Sequence, residues 1–233
     1  MLSICFDLDG TLCDSAEAEE AARVEVVKRI ASEGVEPGRA ALAFKEHFDR
    51  YEEVYAELVI KRGLGERQIR RRQVADTLSA LGLEEPRLVE ELSEVHWATM
   101  SRSFRLYPEA AEVLRMLGSK YRLSLLSNGP SDLQREKIRV LGVESHFDHI
   151  VISGEVGHFK PSREVFMCLV GRLRAEPHEV MYIGDNYEKD VLGALGAGLR
   201  AVWVNRSDKM QPIHCQKPER TVRDLSELLT VLE

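Results

Sequence analysis

The sequence predicts an α/β protein built on a doubly wound parallel sheet, and two patterns support this fold class. Short apolar runs bounded by Gly, Asn, Asp or Ser recur along the chain, which is typical of strands buried on both faces. Helical patterns separate the later runs, and such alternation indicates a parallel sheet with helices on both sides. The predicted strands are residues 2–6, 123–126, 150–152, 180–183 and 201–204, and the predicted helices of this part are 109–117, 133–141, 163–173, 189–197 and 224–232.

The long interval between the first two predicted strands indicates an inserted domain. These strands are about 115 residues apart, whereas a βαβ crossover needs only a few tens of residues. Apolar residues at three and four spacing predict four helices in the interval, over residues 16–32, 39–62, 66–81 and 87–101. We therefore predict an α/β core of residues 1–15 and 105–233, with a four-helix cap domain of residues 16–104 inserted into it.

Composition and charge argue for a soluble globular protein. The chain has 233 residues, of which 44% are hydrophobic and 30% charged, and its formal net charge is -7. This charge gives no general attraction to nucleic acid or to anionic membranes, so we expect neither as a partner. No apolar run approaches the length of a membrane span or of a signal-peptide core. The cysteines lack CxxC spacing, and we expect reduced thiols in a cytoplasmic protein at Cys5, Cys13, Cys168 and Cys215.

Polar residues are concentrated directly after the predicted strands. Two aspartates, Asp7 and Asp9, end the first strand, and other reactive side chains follow the next three strands. Because ligands of an open parallel sheet bind at the carboxyl ends of its strands, these four loops are expected to converge on one site. The residues are Asp7, Asp9 and Thr11 after the first strand, Ser127 and Asn128 after the second, Lys160 after the third, and Asp185 and Asp190 after the fourth.

Several carboxylates in one place imply a bound cation, because each would otherwise raise the pKa of its neighbours. The candidate ligands are all hard oxygen atoms, without imidazole or thiolate, and this set favours Mg²⁺. The hydroxyls of Thr11 and Ser127, a close backbone approach at Gly10 and the charge of Lys160 suit a phosphoryl group. The sequence therefore predicts a tetrahedral dianion bound next to Mg²⁺.

Four segments, DLDGT, LLSNG, FKPSREVF and GDNYEKD, occur in the order and approximate spacing of the four motifs of the haloacid dehalogenase superfamily. The chain resembles the phosphatase branch of that superfamily, which implies a Rossmann-like core. Asp9 favours this branch, because dehalogenases of the superfamily lack the second acid. The helical insert resembles the small, type C1 cap of the family, whose inward side would select the leaving group and exclude water.

The resemblance assigns the chemistry to the first motif. It implies that Asp7 is the nucleophile and forms an aspartyl-phosphate, while Asp9 protonates the leaving alkoxide and later deprotonates the hydrolytic water. Residues two apart in an extended segment project to the same side, so both carboxyl groups are able to face one phosphoryl group. Lys160 is implied to offset charge in the transition state.

The resemblance also implies a metal-binding and a phosphate-binding set. Mg²⁺ would be bound by the Asp7 carboxylate, the Asp9 backbone carbonyl and Asp185. Asp190 would be either a ligand through water or a partner that orients Lys160. The residues implied to hold the phosphoryl oxygens or the loop of the nucleophile, besides Lys160, are Gly10, Thr11, Ser127 and Asn128.

These observations predict a Mg²⁺-dependent phosphomonoesterase that acts on a small phosphorylated metabolite. A sugar phosphate, phosphoglycolate and a nucleoside monophosphate all stay open as substrates, because the predicted core contacts only the phosphoryl group that they share. Two other functions also stay open: a phosphosugar mutase of the same superfamily and a non-catalytic phosphometabolite-binding protein. The sequence predicts no oligomeric state.

Overall fold

A parallel sheet forms the centre of the α/β part of the protein. The structure, a computed structural model, describes residues 2–210 and 216–232, and within them six strands pair in the order β3-β2-β1-β4-β5-β6. The strands are β1 (Ser3–Phe6), β2 (Arg122–Ser127), β3 (His149–Ile152), β4 (Val180–Gly184), β5 (Arg200–Val204) and β6 (Arg220–Val222). All neighbouring pairs are parallel. The predicted doubly wound α/β class is thereby confirmed.

The position of β1 determines where a ligand crevice forms. This strand pairs with β2 on one side and β4 on the other, so the direction of winding reverses at it, and such reversal points open a crevice at the carboxyl ends of the strands. The sequence pattern predicts five of the six strands. The sixth, β6, is a three-residue edge strand whose first two residues are exposed, so it lacks the apolar run that marks the others.

The helices of both parts are short to medium in length. They are α1 (Ser15–Ser32), α2 (Pro37–Glu53), α3 (Tyr55–Ile60), α4 (Glu66–Leu81), α5 (Pro86–Ser103), α6 (Ala110–Gly118), α7 (Ser131–Leu141), α8 (Ser153–Val156), α9 (Arg163–Leu173), α10 (Gly193–Ala197) and α11 (Leu228–Val231). Over the described part of the chain, none of them has both the length and the apolar character needed to cross a membrane.

Three predicted helices differ from the observed ones. The predicted helix 39–62 is interrupted at Val54, where φ is -108° and ψ is 6°, so the inserted segment contains five helices instead of four. The predicted helix 189–197 begins as a π-helical turn, Tyr187–Leu192, before α10. The predicted helix 224–232 consists of a 3₁₀ turn, Leu225–Glu227, followed by the short α11.

The chain forms two compact units. The α/β unit contains the residues up to Asp14, Arg105–Gly129 and the chain from Leu141 onward, and the helical unit contains Ser15–Phe104 and Pro130–Val140. The predicted core of residues 105–233 differs from this grouping at residues 130–140, which include most of α7.

Hydrogen bonds from α4 explain why α7 belongs to the helical unit. The carboxylate of Asp132 accepts the backbone N–H groups of Glu66 (2.9 Å) and Arg67 (3.3 Å), which lie in the first turn of α4. A Cβ atom at Gly65 would lie only 2.6 Å from an Asp132 oxygen, so the missing side chain permits this approach. An anionic group is stabilised at a helix N-terminus, and this contact therefore attaches α7 to α4.

Each unit has its own apolar core. In the α/β unit the rings of Phe166 and Tyr182 meet edge to face at a centroid distance of 5.2 Å within a cluster that also includes Val151, Val165, Leu169, Val191 and Ala201. In the helical unit the core is formed by Val26, Ile30, Phe44, Val74, Leu78 and Leu92, among others. These cores bury the faces that the apolar patterns predict.

The described cysteines are free thiols. Cys5 and Cys13 are buried, and Cys168 is partly exposed. Burial raises the pKa of the Cys5 thiol to about 12, so this side chain behaves as a small apolar residue of β1. Cys215 lies outside the described residues.

A charged cluster lies inside the helical unit, centred on the buried side chain of Arg70. Its guanidinium donates to Glu66 (2.6 Å), Glu52 (3.0 Å) and Gln73 (3.0 Å). Glu66 is fully buried and also accepts the hydroxyl of Tyr55, the first residue after the helix break. A buried charge is tolerated only when it is paired and hydrogen-bonded, so this cluster depends on all its members.

Replacing Arg70 should therefore destabilise the protein far more than replacing its neighbour Arg71. We expect Arg70→Met to lower the free energy of unfolding by about 3 kcal/mol, because Glu66 is left buried without its counter-ion. Arg71 pairs with Glu90 on the surface, and Arg71→Met should change the free energy by less than about 1 kcal/mol. Urea denaturation at neutral pH measures both; equal losses for the two variants would contradict the structural role of Arg70.

Candidate active site

The loops after β1, β2, β3 and β4 converge on one cavity of the α/β unit. The cavity has a volume of about 240 Å³ and lies at the carboxyl ends of these strands. The residues that line it are Asp7, Asp9, Asn128, Lys160, Asp185, Asn186, Lys189 and Asp190. Six of the predicted site residues therefore come together, although four of them are more than 100 positions from Asp7 in the sequence.

Lys160 is the centre of the site. Its ammonium group donates to Asp7 Oδ1 (2.7 Å), to Asp190 Oδ1 (2.7 Å) and to the hydroxyl of Tyr182 (2.8 Å). An ammonium group has three N–H donors, and here each has an acceptor. Lys160, Asp7 and Asp190 are all buried, so the ion pairs are shielded from water and the orientation of both carboxylates is fixed.

Asn128 positions the backbone of Lys160. Its side-chain amide donates to the Lys160 carbonyl (3.0 Å), and its side-chain oxygen accepts the Lys160 N–H (2.8 Å). The peptide bond between Lys160 and Pro161 is cis. Asn128 thus joins the loop after β2 to the loop after β3, while its implied contact with phosphoryl oxygens stays a prediction.

Asp185 approaches the first loop closely at Gly10. The backbone of Gly10 has a φ of 79°, and a Cβ atom there would lie 2.6 Å from Asp185 Oδ2. A residue with a side chain would therefore meet both strain and a clash, and only glycine fits. The backbone of Asp185 is also held, because its carbonyl accepts the indole N–H of Trp203 (2.9 Å).

Asp190 uses both carboxylate oxygens within the site. Oδ1 accepts the ammonium of Lys160, and Oδ2 accepts the backbone N–H of Asn186 (2.9 Å). A Cβ atom at Gly184 would lie 2.5 Å from the Asp190 side chain, so this glycine permits the contact. Of the two predicted roles for Asp190, the geometry favours the one in which it orients Lys160.

Thr11 and Ser127 are fully buried and do not line the cavity. The Thr11 hydroxyl has no hydrogen-bond partner among the described residues. A buried hydroxyl without a partner is costly, which makes it a candidate to bind a ligand oxygen. A contact with Ser153 holds the loop after β2, because the Ser153 hydroxyl accepts the N–H of Gly129 (2.8 Å).

The electrostatics of the site show a shortage of positive charge. Burial raises the pKa of the Asp7 carboxyl well above its ordinary value, and the charge of Lys160 opposes that rise without cancelling it. Burial and the charge of Asp190 raise the pKa of Asp185 from 3.8 to about 6. Burial alone would lower the pKa of Lys160, but the charges of Asp190 and Asp7 raise it above its ordinary value. Lys160 is therefore cationic at neutral pH.

The aspartates fit a divalent cation. One carboxylate oxygen from each of Asp7, Asp185 and Asp190 lies within 4.8 Å of the other two. The cavity lining contains four aspartates and two lysines, which leaves two negative charges, the amount that one divalent ion neutralises. The donors are all oxygen atoms, as hard cations prefer. The cluster is thus chemically suited to hold such an ion.

Three residues of the site are absent from the predicted set. Tyr182 lies in β4 and looks like an ordinary core residue, yet its hydroxyl accepts from Lys160 and donates to the Leu126 carbonyl (2.9 Å). The only indication in the sequence that Tyr182 belongs to the site is its polar hydroxyl within an otherwise apolar run. Asn186 and Lys189 line the cavity from the loop after β4, and their place in the GDNYEKD segment is the signal for them in the sequence.

The fold and the site define an enzyme of the α/β class, with its reactive groups on the loops that follow the strands. A family model described as haloacid dehalogenase-like hydrolase matches residues 1–198. The chain belongs to this family of hydrolases, which confirms the resemblance seen in its four motifs.

Several relatives of the chain are phosphatases by name. N-acylneuraminate-9-phosphatase of Mus musculus is 30% identical over 243 residues, which cover 99% of this chain and 93% of that protein. Phosphoserine phosphatase of Thermus thermophilus is 40% identical over 144 residues, or 61% of this chain and 57% of that protein. Glyceraldehyde 3-phosphate phosphatase of Methanopyrus kandleri is 29% identical over 205 residues, covering 88% of this chain and 84% of that protein.

Solved structures share the fold. The 2-haloacid dehalogenase of Pseudomonas syringae matches with a TM-score of 0.75 and 24% identity, over 100% of this chain and 98% of that chain. The putative HAD-hydrolase YfnB of Bacillus subtilis, solved bound to magnesium, matches with a TM-score of 0.74 and 21% identity over the same shares. At these identities the likeness concerns the fold alone.

Removing one carboxylate should stabilise the protein when divalent metal is absent. The pKa of Asp185 is raised on folding, so its contribution lowers stability as pH rises from 3.8 to about 6, and the full penalty is present above that pH. We expect Asp185→Asn to raise the free energy of unfolding by about 2 kcal/mol at about pH 7.5 in chelator, and by much less at about pH 4.

The control is Asp148→Asn, which removes a half-exposed carboxylate that pairs with Arg122 and should change the free energy by less than about 0.5 kcal/mol at either pH. Adding Mg²⁺ should reverse the order of wild type and Asp185→Asn, because binding stabilises the protein that holds the ion better. Urea denaturation measures each state; a difference between wild type and Asp185→Asn that does not depend on pH would contradict the raised pKa of Asp185.

Proposed function

We propose that the protein is a Mg²⁺-dependent phosphatase that hydrolyses a small phosphorylated metabolite through an aspartyl-phosphate on Asp7. The observation that carries this proposal is the buried Lys160 ammonium, held 2.7 Å from both Asp7 and Asp190, with Asp185 close enough to share a cation with them. Phosphatase relatives that match along nearly the whole chain support the same reaction.

In the first step, a carboxylate oxygen of Asp7 attacks phosphorus and the bond to the leaving oxygen breaks. Lys160 binds Oδ1 of Asp7, so the nucleophile is Oδ2, and the ammonium holds the carboxyl group in one orientation. Asp9 lines the same cavity and, in its protonated form, gives its proton to the leaving oxygen. The products of this step are the free alcohol and the phosphorylated Asp7.

In the second step, water attacks phosphorus and the bond to Asp7 breaks. Asp9, now ionised, accepts the proton from the water, which restores both aspartates and releases inorganic phosphate. The Thr11 hydroxyl, which is buried without a partner among the described residues, donates to a phosphoryl oxygen, as do the loop residues Ser127 and Asn128. Lys160 offsets the charge that develops in both steps.

The cation fits a defined part of the site. The Asp7 and Asp185 carboxylates would hold Mg²⁺ together with the Asp9 backbone carbonyl, and Asp190 would keep Lys160 in place beside them. When bound, the ion supplies charge neutralisation for the phosphoryl oxygens and keeps Asp7 ionised.

The proposal predicts the behaviour of two neighbouring aspartate variants. Asp7→Asn should abolish phosphate release from every ester, because an amide is too weak a nucleophile to attack phosphorus. Asp9→Asn should slow release by about 10²- to 10⁴-fold while leaving the Mg²⁺ concentration for half-maximal rate largely unchanged, since Asp9 would hold the ion only through its backbone carbonyl. The assay is phosphate release from a panel of sugar phosphates, phosphoglycolate and nucleoside monophosphates, with Mg²⁺ or with chelator.

Asp148→Asn serves again as the matched control and should retain full activity. Acid quenching of Asp9→Asn during turnover, followed by peptide mass spectrometry, should find the phosphate on the peptide that contains Asp7. Phosphate release by the wild type in chelator, or by the Asp7→Asn variant, would refute the mechanism. Transfer of phosphate to a second sugar hydroxyl in place of release to water would indicate a mutase.

A further inference from the structure

Arg206 joins three segments of the α/β unit just beyond the end of β5. One of its terminal nitrogen atoms, Nη2, donates to the Thr11 carbonyl (3.1 Å) and to Glu109 (2.7 Å). The guanidinium also lies over the ring of Tyr107, 3.7 Å from the ring centroid. The Arg206 side chain is mostly buried, with 21% of its surface exposed. Arg206 lies outside the four motifs of the family, and the proposed mechanism gives it no role.

The Thr11 carbonyl belongs to a tight turn that carries Asp9. Within this turn the Leu12 N–H donates to the Leu8 carbonyl (2.9 Å), and the Gly10 N–H donates to the Cys13 carbonyl (2.8 Å). The turn is held from outside by the Tyr107 N–H, which donates to the Leu12 carbonyl (2.9 Å). Arg206 therefore supports the turn directly, at Thr11, and indirectly, by stacking on Tyr107.

Asp7 does not depend on this support. Its backbone N–H donates to the Ile183 carbonyl (2.8 Å), which continues the pairing of β1 with β4. Its carboxylate is fixed by Lys160. A loss of Arg206 should thus loosen the segment after Asp7, where Asp9 and Thr11 lie, and leave the nucleophile in place.

We infer that Arg206 is a positioning residue for the general acid Asp9. This inference rests on the proposed function and goes one step beyond it. Its consequence depends on the leaving group, because the proton from Asp9 matters most when the leaving oxygen is a strongly basic alkoxide and least when it is a stabilised phenolate. A displaced acid should therefore slow the hydrolysis of alkyl phosphates more than that of aryl phosphates.

The test compares Arg206→Met with a matched control from β5. Arg200, at the start of β5, makes a two-point ion pair with Glu219 (2.7 and 2.6 Å) and contributes nothing to the cavity lining. We would measure kcat and KM with saturating Mg²⁺ on 4-nitrophenyl phosphate and on the alkyl phosphate that the wild type hydrolyses best. Thermal unfolding of each variant monitors general damage to the fold.

For Arg206→Met we expect kcat/KM on the alkyl phosphate to fall by at least about tenfold, because this ratio reports the first step, in which Asp9 acts as the acid, and small misplacements of catalytic groups are costly. On 4-nitrophenyl phosphate the fall in kcat/KM should be less than about threefold, and Arg200→Met should leave kcat/KM unchanged on both substrates. Arg206→Lys should recover part of the alkyl rate, because an ammonium is able to donate to the Thr11 carbonyl. Asp9→Asn should show the same dependence on leaving group with a larger loss.

An equal loss of kcat/KM on both substrates, or no loss at all, would overturn the role of Arg206. These results are distinct from a failure of the proposed function. That failure would appear in the wild type as absent phosphate release, or in Asp9→Asn as a loss of kcat/KM that is the same for alkyl and aryl esters.

Discussion

A buried lysine held between two aspartates is the interaction on which the site depends. Lys160 lies on one loop and its partners Asp7 and Asp190 lie on two others, so a single ammonium group connects three separate segments. Each of the three N–H donors of this ammonium has an acceptor, and the acceptors are Asp7, Tyr182 and Asp190. Only one position of the ammonium allows all three hydrogen bonds at once. The orientation of Asp7 is therefore determined before any ligand arrives, and preorganisation of this kind is what the proposed attack of Asp7 on phosphorus requires.

Two glycines make room for aspartate side chains at the site. Two carboxylates lie close to the backbone, and the space for them exists only because Gly10 and Gly184 have no side chain. Asp185 fits against the first glycine and Asp190 against the second. The crowding of aspartates is unfavourable by itself, since like charges in a buried place raise each other's pKa. The arrangement is thus less stable than a neutral one, and binding a cation removes that disadvantage.

The position of a residue in the fold could be predicted from the sequence where its neighbours in the chain determine that position. Asp7 and Asp185 end apolar runs, and parallel strands bring such ends together, so the cluster could be predicted from local pattern and topology. The position could not be predicted where contacts between distant segments of the chain determine it. Residues 130–140 join the helical unit through Asp132 at the start of α4, the break at Val54 occurs without glycine or proline, and Arg206 meets Thr11 across 195 positions. No local sequence pattern predicts these features.

Two charged clusters among the described residues differ in a way that separates structure from function. In the helical unit, burial would raise the pKa of Glu19, but the positive charge of Arg70 and the contact with His96 outweigh it and lower the value to about 2. In the α/β unit the pKa of Asp185 is raised to about 6, because burial and Asp190 outweigh Lys160. The first cluster is supplied with cations by its own side chains and serves to hold helices together. The second lacks positive charge in an open cavity, which is the condition expected of a site that receives a cationic ligand.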